Sequence, residues 1–154
     1  MKIFTILVLL SVLFFSCSEK KNSATDPTNI AITKITKPAK LDGCYEMVIS
    51  GDTAFLNIAE SGDTLLGDLR YKRKEKDNNK GDVVLKKIDG RAEGYYTFES
   101  EGKTSVRQIV LKITGNSLAE GYGDIEMKND TSVFKYPHAL NFEEKHPFNK
   151  VNCK

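Results

Sequence analysis

The chain has 154 residues, and its 23 lysines and arginines nearly balance its 21 aspartates and glutamates, for a formal net charge of +2. A charge this close to neutral creates no strong field, which argues against nucleic acid or an anionic lipid surface as a partner. The length is typical of a single domain.

The N-terminus has the pattern of an export signal. An apolar run from Ile3 to Phe15 follows Met1-Lys2 and ends just before Ser16-Cys17. A basic start, a short apolar core and a small residue predict a cleaved signal peptide over residues 1–16. The run is shorter than the roughly 20 apolar residues that a membrane-spanning helix needs. A plain secretory signal cut nearby and an N-terminal membrane anchor remain as alternatives.

The segment Phe14-Phe15-Ser16-Cys17 resembles the signals of bacterial lipoproteins. The resemblance implies that Cys17 is lipidated and becomes the first residue of the mature protein, which places the protein in the cell envelope with the membrane as a partner. By analogy with Gram-negative sorting, Ser18 after the cysteine favours the outer membrane, on its periplasmic or its cell-surface face. Residues 17–40 are rich in polar residues and proline, so they are expected to form a flexible tether.

Residues 41–154 are predicted to form a β-barrel domain. Apolar and polar residues alternate in short runs, which is typical of half-buried strands, and Gly, Asn and Asp mark the turns between them. Glycines inside the runs at Gly67, Gly94, Gly121 and Gly123 suit a strongly curved sheet. Closing such a meander into a barrel removes its exposed edges. The expected fold class is therefore all-β, an antiparallel up-and-down meander of about eight strands that closes into a small barrel. The predicted strands are 43–49, 53–60, 63–73, 82–88, 91–99, 104–113, 117–127 and 131–136.

The remaining two cysteines, Cys44 and Cys153, are predicted to form a disulfide. An exported protein meets an oxidising compartment, and an even number of thiols there favours pairing. Two free thiols and a redox pair are the alternatives, although no Cys-x-x-Cys spacing supports redox chemistry. The tail from 137 to 152 is expected to fold back so that Cys153 reaches Cys44, with a helical turn over 141–145.

The start of the domain, Leu41-Asp42-Gly43-Cys44-Tyr45, resembles the lipocalin-like barrels, in which Gly-x-aromatic begins the first strand. The lipocalin signature has Trp where this chain has Tyr45. Phe98-x-Ser100-Glu101-Gly102, Ser105-x-Arg107 and Glu120-Gly121-Tyr122-Gly123 are similar to motifs of small bacterial lipoproteins. These resemblances imply a barrel fold and a lipid anchor, and they imply no activity.

Arg107 is the most informative polar residue of the domain. It shares a strand face with Ile109, Leu111 and Ile113, so it is expected to point inward. An unpaired charge there would cost several kcal/mol, which predicts a carboxylate partner. The arginine either belongs to a structural ion pair or holds an anionic ligand at the barrel mouth. The candidate partners are Glu93, Glu99, Glu120 and Asp124.

Aromatic residues, Tyr96 and Tyr122 among them, can either line a cavity or fill the barrel core. The candidate ligand or ion-pair residues are Arg107, Glu120, Tyr96 and Tyr122. No arrangement of nucleophile and base and no metal-ligand spacing stands out, since the two histidines, His138 and His146, both lie in the tail. The sequence predicts no catalytic residues, no metal and no cofactor.

The first functional hypothesis is a non-enzymatic binding module that holds a small hydrophobic or amphipathic ligand in the barrel. The alternative is an envelope interaction protein with a filled core, which binds a protein or glycan through its loops or an exposed strand face. An enzyme is the least favoured hypothesis.

Overall fold

The computed structural model of the protein describes residues 40–75 and 77–153. Within these residues the chain forms eleven β-strands, and no helix long and apolar enough to cross a membrane is found there. The strands are β1 (Gly43–Ile49), β2 (Asp52–Ser61), β3 (Thr64–Lys72), β4 (Asn79–Ile88), β5 (Arg91–Ser100), β6 (Lys103–Thr114), β7 (Ser117–Tyr122), β8 (Ile125–Lys128), β9 (Thr131–Phe134), β10 (Asn141–Phe142) and β11 (Phe148–Val151).

Eight of the strands close into an antiparallel barrel. Strands β1 to β7 pair with their neighbours in chain order, and β11 lies between β7 and β1. The predicted fold class, a meander closing into a small antiparallel barrel, is confirmed.

The last predicted strand is in the wrong place. Residues 131–136 were expected to complete the meander, but β9 covers only Thr131–Phe134, pairs in parallel with β6 and forms a hairpin with β8. The barrel is closed instead by Phe148–Val151, a segment assigned to the tail. This strand has four residues, which is too short for a period-two pattern to stand out.

Two further predictions around it are also wrong. The predicted strand 117–127 is divided, because β7 ends at Tyr122 and β8 begins at Ile125. The expected helical turn over 141–145 is absent, since Asn141 and Phe142 form β10 and pair with Tyr122 and Gly121 of β7. Backbone pairing with a neighbouring strand therefore decides the conformation of this segment, rather than its local composition.

The alternation of side chains builds one continuous core. In β2, for example, Ala54, Leu56 and Ile58 are buried, whereas Asn57 between them faces outward. A fully buried Leu or Ile side chain, such as Leu56 or Ile58, contributes about 1.5–3 kcal/mol. The largest apolar side chains that are almost completely buried are Tyr45, Tyr96, Phe148, Leu56, Leu65, Leu69, Leu85, Ile109, Leu111, Leu118 and Val83.

Glycines inside the strands allow the sheet to coil tightly. A Cβ atom on Gly67 would overlap the carbonyl oxygen of Asn57, and a Cβ atom on Gly94 would overlap that of Val84. The partner strand approaches too closely for any larger residue, as expected for a small and strongly curved barrel.

The meander gives the barrel two different ends. The turns at 50–51 and 101–102 lie at one end, which we call the open end. The turn at 62–63 lies at the other, where the chain enters the barrel at Leu41 and where β11 ends at Val151. We call this the closed end.

Buried hydrogen bonds seal the closed end. Leu41 is buried in the core, its carbonyl accepts a hydrogen bond from the hydroxyl of Tyr45 at 3.0 Å, and its N–H donates to Glu60 at 2.5 Å. Glu60 in turn pairs with the Nζ of Lys87 at 2.5 Å. The first residues of the domain thus act as a plug.

The predicted disulfide is confirmed. Cys44 on β1 bonds to Cys153, two residues beyond β11, with a Cα–Cα distance of 5.2 Å and a sequence separation of 109. The bond lies beside the pairing of β1 with β11, which joins the first barrel strand to the last.

Reducing this disulfide should destabilise the domain. We expect the free energy of unfolding to fall by about 4–5 kcal/mol, because the bond closes a loop of roughly 100 residues in the unfolded chain. Urea unfolding of the oxidised and reduced protein measures the change. A Cys44→Ser, Cys153→Ser variant is the control, since the reductant should leave its midpoint unchanged. Equal midpoints for oxidised and reduced wild-type protein would contradict the prediction.

Candidate functional site

A buried ion pair lies toward the open end of the barrel. Arg107 on β6 points inward opposite Tyr96 of β5, and Glu120 on β7 points inward opposite Leu111 of β6. The Nη2 atom of Arg107 lies 3.1 Å from Oε1 of Glu120. The side chain of Glu120 is only 2% exposed, whereas that of Arg107 is 30% exposed. Of the four candidate carboxylates, Glu120 is the one that pairs with the arginine.

Two tyrosine hydroxyls also donate to the buried carboxylate. The hydroxyl of Tyr71 lies 2.9 Å from both oxygens of Glu120, and that of Tyr122 lies 3.2 Å from Oε2. Arg107 donates from Nη2 to the Tyr71 oxygen at 2.8 Å. Tyr71 therefore links the arginine to the carboxylate. Its hydroxyl oxygen accepts a hydrogen bond from Arg107, and its proton is shared between the two oxygens of Glu120. We call Tyr71, Arg107, Glu120 and Tyr122 the mouth cluster.

Tyr96 forms the floor beneath this cluster. The guanidinium of Arg107 lies 5.2 Å from the centre of the Tyr71 ring and 5.5 Å from the centre of the Tyr96 ring. Tyr96 is fully buried, donates its hydroxyl to the carbonyl of Leu69 at 3.0 Å and stacks on Phe98 at 4.7 Å. Its role is to support the arginine through a cation–π contact rather than to reach the surface.

Burial and neighbouring charges fix the protonation of the tyrosines and of Arg107. Burial raises the pKa of Tyr71 and of Tyr122, and the neighbouring charge of Glu120 raises both further. Burial also raises the pKa of Tyr96 to about 12. Burial lowers the pKa of Arg107, but its contacts with Tyr71 and Glu120 raise it by more. The tyrosines remain donors and the arginine remains charged across the physiological range.

A cavity of about 250 Å³ opens beside Arg107. We call it the mouth cavity. One wall is the hairpin of β8 and β9, which is held in place because the Phe134 N–H donates to the Gln108 side chain at 2.9 Å. The cavity is lined by Phe98, Ser105, Val106, Arg107, Gln108, Ile125, Ser132, Val133 and Phe134.

A larger groove of about 560 Å³ lies on the outer face of β1, β2 and β3, beside the disulfide. Its polar side chains bond to one another, since Asn57 donates to Asp68 at 3.2 Å and Arg70 lies 3.7 Å from the same carboxylate. These groups are exposed and partly satisfied among themselves. The mouth cavity is the better candidate site because a partly buried charge faces it.

The remaining residues named from the sequence lie elsewhere. His146 pairs with Glu143 at 3.2 Å on the surface, and His138 is exposed in the tail. Residues 40–75 and 77–153 contain no group of three or more acidic, histidine or cysteine residues placed to hold a metal ion. Cys17, the expected site of lipid attachment, lies outside the described residues.

Sequence reasoning missed two parts of the site. Tyr71 shares a face with Leu65 and Leu69, so its inward direction follows from the alternation, but its bond to Glu120 spans 49 residues and has no local signal. The β8–β9 wall was missed because the parallel pairing of β6 with β9 leaves no turn signature between neighbouring strands.

Removing the charge of Glu120 should cost far more stability than the same change at the surface. Glu120→Gln keeps the shape of the side chain but leaves Arg107 without its counter-charge. We expect the free energy of unfolding to fall by about 3 kcal/mol, the lower end for a broken buried pair because the arginine is partly exposed. Urea unfolding measures the loss.

The matched control is Glu144→Gln, which removes the exposed partner of Lys112. Its expected cost is below about 1 kcal/mol, as for surface ion pairs. Similar losses for both variants would show that Glu120 contributes no more than a surface charge.

The buried Tyr96 should make the domain sensitive to alkaline pH. Its folded pKa of about 12 lies above the ordinary value of 10.0, so the unfolded chain loses the proton first as the pH rises. The corresponding stability is complete below pH 10 and is lost between pH 10 and 12.

The variant Tyr96→Phe isolates this contribution. We expect it to cost about 1 kcal/mol at neutral pH, because the hydrogen bond to Leu69 is lost, and to flatten the alkaline decline. Chemical unfolding at pH 8, 10 and 11.5 tests this expectation, with the other buried tyrosines contributing equally to both proteins. An unchanged slope in the variant would contradict it.

The chain matches no family model, no curated protein and no solved structure. The resemblance to lipocalin-like barrels and bacterial lipoproteins therefore stays a prediction from the motifs that carry it.

Proposed function

We propose that this protein is a lipid-anchored module of the cell envelope that binds a small hydrophobic or amphipathic molecule without catalysis. The signal pattern ending at Cys17 supports the anchor and an outer-membrane location. The mouth cavity supports the binding role, because it combines an apolar wall with a charged group, as small-molecule sites do.

The ligand is proposed to bind at the mouth rather than deep inside the barrel. Below Arg107 the interior is occupied by almost completely buried side chains, including Tyr96, Leu69 and Leu85. Small-molecule sites commonly measure roughly 300–1,000 Å³. A mouth cavity of about 250 Å³ therefore suits a compact molecule or one end of a longer one.

The observation that carries the proposal is the position of Arg107 on the cavity wall. The cavity is also lined by Phe98, Val133 and Phe134, which offer apolar contact. A site with both kinds of contact recognises a molecule with a polar end and an apolar body. A non-enzymatic role is proposed because the raised pKa values of Tyr71, Tyr122 and Arg107 hold their protons in place near neutral pH.

Binding can be tested with the neutral fluorescent probe N-phenyl-1-naphthylamine on residues 18–154 expressed in the periplasm. We expect saturable fluorescence enhancement in the wild-type protein. Ser105→Trp fills the mouth cavity and should reduce probe affinity at least about tenfold, a loss of roughly 1.4 kcal/mol.

The control is Ser61→Trp, which adds the same ring at the exposed last residue of β2, at the closed end, and should leave binding unchanged. Native mass spectrometry of the same proteins detects any co-purified molecule. No probe binding and no adduct in the wild-type protein would refute the proposed function.

One observation favours a second candidate, an envelope interaction protein. Leu66, Val84 and Tyr95 stand side by side on the outer face of β3, β4 and β5, because Val84 pairs with both of the others. They are 48%, 54% and 49% exposed. Exposed apolar groups in such a row are typical of a contact surface for another protein or a glycan. A protein or glycan bound to this outer face would leave the mouth cavity empty. The interaction protein is therefore the favoured function if the probe fails to bind.

A further inference from the structure

We propose that the mouth cavity selects a monoanionic ligand, a carboxylate on an apolar body, through the free donors of Arg107. The inference rests on the proposed binding function and adds the chemical class of the ligand. It is argued from the hydrogen bonds of the arginine, the saturation of Glu120 and the charges around Tyr71.

Arg107 has hydrogen-bond donors that no described residue uses. Only its Nη2 atom bonds to the described residues, at 2.8 Å to Tyr71 and at 3.1 Å to Glu120. A guanidinium carries five N–H groups, so those on Nε and Nη1 are left over. In the described residues no buried side-chain nitrogen or oxygen lacks a partner. The unused nitrogens of Arg107 are therefore accessible, and Arg107 lines the mouth cavity.

Glu120 has nothing left to offer a cationic ligand. Its two oxygens accept hydrogen bonds from Tyr71, Tyr122 and Arg107, and the residue is 1% exposed. The three donors take three of the roughly four acceptor positions of a carboxylate, and burial keeps the fourth out of reach of a ligand. An ammonium group entering the mouth would thus meet the arginine without reaching the carboxylate.

The charges around Tyr71 favour one negative charge on the ligand rather than two. A second arginine, Arg73, lies 5.3 Å from the centre of the Tyr71 ring, near the 5.2 Å distance of Arg107 to the same ring. No carboxylate among the described residues lies within ion-pairing distance of Arg73. Two guanidinium groups and one carboxylate leave a single positive charge, which a carboxylate neutralises. A charged hydrogen bond to such a group is stronger than a neutral one.

The test uses three eight-carbon compounds that differ only in their head group: octanoate, 1-octanol and octylamine. Each competes with N-phenyl-1-naphthylamine for the wild-type protein at pH 7.5. We expect octanoate to compete at least about tenfold better than 1-octanol, a factor that equals roughly 1.4 kcal/mol, and octylamine to compete worst. Added salt should weaken octanoate but not 1-octanol, because screening acts only on the charged head group.

Variants assign the preference to the arginine. Arg107→Gln should remove the difference between octanoate and 1-octanol, with each compound's competition measured against the variant's own affinity for the probe. Arg107→Lys keeps a positive charge and should retain part of the preference for octanoate over 1-octanol. It replaces Arg107→Gln in the test if that variant does not fold. Arg73→Gln should lower the preference for octanoate less than Arg107→Gln does. Arg70→Gln is the control, because it removes an arginine from the outer groove and should change nothing at the mouth.

The outcomes separate the inference from the proposed function. If the probe binds and all three compounds compete equally, or octylamine competes best, the anion preference is overturned while binding at the mouth stands. If the preference for octanoate survives in Arg107→Gln, the arginine is not its source and the inference also fails. If neither the probe nor any alkyl compound binds, both proposals are refuted together.

Discussion

The closed barrel depends on the pairing of one short strand. Without β11, the meander from β1 to β7 would be an open curved sheet with two unpaired edges, which proteins avoid. β11 supplies only four residues, yet it satisfies both edges and buries Phe148 in the core. The disulfide between Cys44 and Cys153 holds this strand against β1. The short pairing that closes the barrel is therefore fixed by a covalent bond.

Leu41 plugs the closed end of the barrel, and the buried polar cluster lies at the other end. The strands there place Arg107 and Glu120 side by side in the interior, although a turn and about half of each of two strands separate them in the chain. The tyrosine hydroxyls donate hydrogen bonds to the carboxylate of Glu120. The side chain of Arg107, which is 30% exposed, reaches from the core to the surface. A fold with a filled interior can therefore still present a defined charged site.

The sequence predicted those parts of the structure that depend on residues close together in the chain. Alternation and turns identified the curved sheet, and the two cysteines left beside the expected lipid site identified the disulfide. The alternation of side chains along the strand also predicted that Arg107 points inward. A charge in the interior in turn predicted a carboxylate partner. Nothing local distinguished β11 or the wall formed by β8 and β9, because a short edge pairing and a parallel pairing depend on strands that are distant in the chain. The choice of Glu120 over the other carboxylates needed the barrel register for the same reason.

The disulfide also changes what a protease can do to the domain. Every turn of the barrel lies between Cys44 and Cys153, so these residues form a covalent ring. A single cut in an exposed turn, such as Glu101-Gly102, opens the ring but produces no separate fragment. Both pieces stay joined at the closed end and paired along the sheet. In an environment that contains proteases, the domain can thus be nicked once and remain one molecule, with the strands that build the mouth still in place.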